Sequence, residues 1–162
     1  MARTSTYHHI DVLIKAKSID KQSDVDSHIW LNYRGDENAN EVQNDKTANM
    51  SFDVDPYDIV SWHGVAIENT STSKGVLTDY DNDDDYTIVM TSITADGGQP
   101  DIFEAIGTNG SSRMAGNVKS SVNANTAEEF TIGFSIFKSN GQKVGDFTFD
   151  PVITVRSAGS GS

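Results

Sequence analysis

The stretch Phe130-Thr131-Ile132-Gly133-Phe134-Ser135-Ile136-Phe137, followed by Lys138-Ser139-Asn140-Gly141-Gln142-Lys143 and then Val144-Gly145-Asp146-Phe147-Thr148-Phe149, decides the class of fold. Phe130, Ile132, Phe134 and Ile136 fall at every second position, the period that sets side chains on one face of a strand. Asn140-Gly141 is a hairpin signal, because both residues tolerate the positive φ angles of a type I′ turn. Val144–Phe149 then returns, so the stretch predicts a β-hairpin. Pro151 has no amide donor and should interrupt the ladder, at a bend or an edge, before a last strand over Val152–Val155.

Working outward, the same period recurs. Ile10, Val12, Ile14 and Ala16 alternate with Asp11, Leu13 and Lys15, and Ile29, Leu31 and Tyr33 alternate with Trp30 and Asn32. Further strands are predicted around Asn49–Val54, Ile59–Ile67, Tyr86–Ala95, Ile102–Ile106 and Ser112–Val118. No window of a dozen residues holds a helical stripe, and the one helical element predicted is a short turn near Thr126–Glu129. Turn-rich stretches separate the strands at Gly35–Lys46, Asn69–Gly75, Asp79–Asp85, Asp96–Pro100, Thr108–Ser112 and Asn123–Glu128. Their spacing suits an all-β, single-domain antiparallel β-sandwich of jelly-roll type over residues 1–156, not a βαβ fold. Ser157–Ser162, Ser-Ala-Gly-Ser-Gly-Ser, reads as a flexible tail outside that domain.

A chain of 162 residues buries about 70% of its unfolded surface, so it needs no covalent staple. It has no cysteine, which excludes disulfides, thiolate metal sites and cysteine nucleophiles. Twenty-four acidic residues against twelve basic ones leave a formal net charge of −12, which repels nucleic acid and anionic membranes. Met1–His9 lacks the apolar core of a secretory signal and no later run approaches the roughly 20 apolar residues of a membrane span, so a chain that is cytoplasmic, or that leaves the cell by a route needing no cleaved signal, is expected.

Asp79-Tyr80-Asp81-Asn82-Asp83-Asp84-Asp85 begins like a calcium loop, with carboxylates at alternate positions for a cation that takes many oxygens. It is not an EF-hand: Asp84 stands where that loop needs glycine, and Met90 where it needs glutamate. Two readings stay open, a looser calcium site held by Asp81, Asp83 and Asp85, and the simpler one of a solvated acidic turn. His8, His9, His28 and His63 match no zinc spacing. His8 and His9 read as polar residues at the start of the first strand. If Trp62 points into the core, His63 points away from it, in a structural role. No nucleophile elbow, P-loop or dinucleotide fingerprint is present, so no catalytic residue and no cofactor is assigned. Trp30, Tyr33, Trp62 and Tyr80 would stack on sugars if they faced outward, though strand aromatics more often pack inward.

Three stretches resemble the bacterial inclusion body family typified by AidA and PixA. His9-Ile10-Asp11-Val12-Leu13-Ile14 is similar to the family's opening strand. Val54-Asp55-Pro56-Tyr57-Asp58-Ile59-Val60-Ser61-Trp62 is similar to its G-D-x-[IV]-x-W segment, with Tyr57 in place of the usual glycine. Phe130–Phe137 with Val144–Val155 is similar to its closing G-x-[FY]-x-[WF]-D-P-x-[IL]-x-[VI]. The resemblance implies a β-sandwich, self-association into cytoplasmic inclusions that include crystalline ones, and ties to quorum-regulated or host-associated life stages. It supplies no catalytic residues. The alternative function is a lectin-like carbohydrate-binding module, with or without calcium.

Overall fold

The computed structural model describes residues 7–34, 43–46, 51–74, 76–95, 103–108, 112–118, 126–150 and 152–155. Among these residues the strands are β1 Tyr7–Ile14, β2 Ile29–Arg34, β3 Gln43–Lys46, β4 Ser51–Val54, β5 Ile59–Ser73 and β6 Val76–Asn82, then β7 Tyr86–Ala95, β8 Phe103–Thr108, β9 Arg113–Val118, β10 Thr126–Lys138, β11 Lys143–Phe149 and β12 Val152–Val155. Two single 3-10 turns, Ala16–Ser18 and Gln22–Asp24, lie between β1 and β2. The all-β expectation holds. One sheet runs β3-β2-β1-β5-β9-β8 with β6 on the far half of β5, and the other runs β11-β10-β12-β4 with β7 on β10. Most pairings are antiparallel, but β1 with β5 and β12 with β4 are parallel.

The two sheets close on one core. Ile10, Val12, Ile14, Ile29, Leu31, Val60, Trp62 and Met114 from the larger sheet meet Ile88, Met90, Phe130, Ile132, Phe134, Ile136, Phe147 and Phe149 from the smaller. The closing hairpin is central to it. Phe134 stands across from Phe147 in register, with ring centroids 5.8 Å apart, and lies 6.1 Å from Phe149. In β7 the buried residues Ile88, Met90 and Ile93 break the period of two. The ladder to β10 shifts between Gly133 and Phe134, which pair with Ser92 and Met90, so one extra residue on β7 returns Ile93 to the core face.

A second, smaller cluster sits on the opposite face of the larger sheet, where Leu13, Trp30, Ile67 and Leu77 are buried with Val65 and Tyr80 packed against them. The far half of β5 and β6 form an arm that lays Leu77 over this face. Register shifts after Glu68 and Ser71, and positive φ at Asn69 (52°), give the arm its bend. Asn69–Ser73, read from sequence as a turn, is therefore strand, as are Asp79–Asn82 and Gln43–Lys46. Each polar run is held by ladder bonds to its neighbour, which local composition does not report.

Two further expectations change in the same way. Thr126–Glu129 is the start of β10 and not a helical turn, because Val152–Val155 pairs with it residue for residue. In the closing hairpin only Gly141 takes positive φ (89°), with Gly141 N–H donating to Lys138 O at 2.8 Å. The connection is thus a turn ended by a left-handed glycine, not the two-residue type I′ turn. The ladder on β10 keeps one register across β11 and β12, pairing Ile132 with Phe149 and Glu129 with Val152. The interruption expected at Pro151, the tail Ser157–Ser162, and the turns predicted at Asp96–Pro100 and over 35–42 lie outside the described residues.

At Thr148 the edge of β11 meets a side chain from the Gln22–Asp24 turn. Gln22 Nε2 donates to Thr148 O at 2.8 Å and Gln22 Oε1 accepts from Thr148 N at 3.0 Å. An amide offers both a donor and an acceptor, so it satisfies a strand edge as another strand would.

The two sheets pack tightly at Gly64 of β5. A Cβ there would run into Ile88 Cγ2 and come within 3.0 Å of Met90 Sδ, both on β7. Overpacking of a filled core costs about 1–3 kcal/mol. Gly64→Ala is expected to lower unfolding free energy by that amount, read as an earlier midpoint in urea with an unchanged slope.

Candidate functional site

β1 and β5 lie side by side, so residues far apart in sequence share a face. On the outer face, one cross-strand row reads Asn32, Asp11, His63 and Arg113, from β2, β1, β5 and β9. His9, two positions before Asp11 on the same strand, joins the row. His9 Nε2 lies 3.1 Å from Asp11 Oδ1, and His63 Nδ1 lies 3.6 Å from the same oxygen. One donor atom from each of the three residues lies within 4.8 Å of the other two. Asp11 is buried and the two imidazoles are half-buried. Burial first, and the charge of Arg113 next, hold His63 below the ordinary imidazole pKa, against the opposite pull of Asp11. Across from Asp11, Asn32 is buried, and its Oδ1 is, among the described residues, a buried side-chain oxygen with no hydrogen-bond partner. An unmet buried acceptor costs about 1–3 kcal/mol.

None of this was singled out from sequence as a site. His8 and His9 read in the sequence as polar residues at the start of a strand, and His63 as a structural residue that points away from the core if Trp62 points into it, as the buried Trp62 does. The missing signal was the parallel register that sets Asp11 beside His63.

The acidic run is arranged differently. Asp81 is exposed on β6, where its Oδ2 accepts from Asn69 Nδ2 at 3.0 Å. Asp83 is buried in the turn, where its backbone N–H donates to Ala66 O at 2.9 Å and its Oδ1 accepts from Asp85 N at 3.0 Å. Asp85 is exposed, and its backbone O accepts from Ser139 N at 2.8 Å. The Asp83 carboxylate thus serves the turn that joins β6 to β7. Among the described residues the cluster of three or more convergent metal-type ligands is His9, Asp11 and His63, and not Asp81, Asp83 and Asp85. Trp30 and Trp62 are buried in the two cores and leave no ring face for a sugar, and half-buried Tyr80 packs on the smaller cluster. The side chain of Tyr33 lies outside the described residues. Among the described residues, Tyr7 and Tyr57 are the large apolar groups exposed.

Just before β5, Asp55-Pro56-Tyr57-Asp58 makes a tight turn in which Asp58 N donates to Asp55 O at 3.1 Å. Pro56 suits the second position, and Tyr57, with φ 72°, takes the third position that a type II turn reserves for a left-handed residue. Asp58 is buried. Its Oδ2 accepts from Asp55 N at 2.8 Å and lies 2.7 Å from Nε2 of the buried His8.

Comparison with known proteins identifies relatives of the chain. Residues 14–155 match the profile of the family described as PixA, inclusion body protein. The chain belongs to the PixA inclusion body protein family. A search of the curated proteins returns no match. Among solved structures, the crystal structure of an inclusion body protein of the PixA family from Burkholderia cenocepacia J2315 superposes with a TM-score of 0.64 at 10% sequence identity, covering 94% of this chain and 97% of that one. At that identity the likeness speaks for the fold.

The PixA-like segment Val54–Trp62 now has a physical reading. The position at which the resemblance implies a glycine is the one with positive φ, and Tyr57 occupies it with its ring largely in solvent. A left-handed conformation costs a side-chain-bearing residue about 1–2 kcal/mol, while glycine gives back about 0.4–1 kcal/mol through the freer unfolded chain. Tyr57→Gly is therefore expected to raise stability by a few tenths to about 1 kcal/mol, measured by urea denaturation. Asp58→Ala removes the acceptor shared by His8 and the turn and is expected to cost about 2–4 kcal/mol in the same assay.

Proposed function

We propose that this chain is a non-enzymatic protein that packs as folded domains into cytoplasmic inclusions, crystalline ones among them, in a storage-like or host-associated role. The observation that carries this reading is the family match over residues 14–155. Ordered inclusions need specific contacts repeated between folded copies. The exposed rings of Tyr7 and Tyr57 offer contacts of the amphipathic kind that interfaces favour. Charge opposes them. At −12 each copy repels the next until salt or divalent cations screen the field, over a Debye length of about 8 Å at physiological ionic strength.

The test is light microscopy and X-ray powder diffraction on cells expressing the chain, with static light scattering on the purified protein. Refractile bodies giving sharp rings, and scattering that rises with salt, are expected. Protein that stays monomeric at high concentration across near-physiological salt would sink the proposal.

A further inference from the structure

We propose that His9, Asp11 and His63 form a binding site for a divalent first-row transition ion of the zinc type, on the outer face of the larger sheet. Zinc takes histidine nitrogen and carboxylate oxygen at about 2.0–2.2 Å and prefers a tetrahedron, whose ligand atoms then stand about 3.3–3.6 Å apart. The two contacts through Asp11 Oδ1, 3.1 Å to His9 Nε2 and 3.6 Å to His63 Nδ1, span that spacing. The third side, between the imidazoles, lies within the 4.8 Å that encloses all three donors. It closes by turning rings whose side chains are 25% and 27% exposed.

The backbone under these ligands is held on both sides. β1 lies between β2 and β5, and β5 between β1 and β9, so Asp11 and His63 are fixed by ladder register and not by a loop. Asn32 is the second, independent observation. It is 5% exposed, it stands across from Asp11, and its Oδ1 has no hydrogen-bond partner among the described residues. A metal-bound water would donate to that oxygen, or the oxygen would itself approach the ion, and either satisfies an acceptor that is otherwise unmet. Two nitrogens with one carboxylate select zinc, nickel or copper over calcium, which wants more oxygens. The guanidinium of Arg113, next along the row from His63, opposes the ion's charge.

The experiment is isothermal titration of the full chain with zinc chloride, alongside calcium chloride, for the native sequence, His9→Ala, His63→Ala and the double variant. Both histidines are partly exposed, so the variants should keep the fold, which far-UV circular dichroism checks. One zinc per chain is expected, undiminished by excess calcium, with affinity lower by about tenfold or more in each single variant and binding lost in the double. Cobalt(II) substitution gives a second readout: visible bands of a four-coordinate ion in the native protein, absent from His63→Ala. Absence of zinc binding at about 1 mM would overturn the site. So would zinc binding that survives the double variant or is competed away by calcium, because the ion would then sit on the acidic surface.

Discussion

Everything in this molecule is hung on the parallel pairing of β1 with β5. The two strands lie inside the larger sheet, with neighbours on both edges, and each must find cover for both of its faces. On one face Ile10, Val12, Ile14, Val60 and Trp62 fill the sandwich. On the other, Leu13 and Ile67 cannot be left to water, and the bent arm of β5 and β6 folds back to cover them with Leu77. The part of that outer face beyond the arm's reach is where His9, Asp11 and His63 gather. The polar site and the second apolar cluster are two ends of one surface.

How much of this could be read in the chain depends on whether the controlling interaction is local. The period of two in Phe130–Ile136 and Ile10–Ile14 is local, and it carried the all-β class and the main core. Thr126–Glu129 and Asn69–Ser73 misled because their composition suits turns while their conformation is imposed by partners, Val152–Val155 in one case and β6 in the other. The bulge in β7 is of the same kind. Nothing in Thr91-Ser92 announces an extra residue, yet the ladder to β10 needs one there.

The site shows the contrast more sharply. Asp81, Asp83 and Asp85 drew notice because they are neighbours in sequence, but alternate residues on a strand or in a turn need not converge, and Asp83 spends its carboxylate on its own turn. His9 and Asp11 with His63 are separated by half a hundred positions and become neighbours only through a register that no pattern in either strand encodes. Tyr57 was visible for a different reason. The resemblance implies a glycine there, and the backbone angle suits one.

The Gln22 clasp on Thr148 bears on what kind of material a dense store of this protein would be. A bare strand edge is a template on which further chains can add, and growth of that sort ends in cross-β fibrils held by continuous backbone bonds. Here the edge of β11 is already answered at Thr148 from within the same chain. Sheet extension across that edge would first have to evict the glutamine. Particles built by stacking closed domains would then melt by dilution or a change of salt, with each domain leaving intact, whereas a fibril must be unravelled strand by strand.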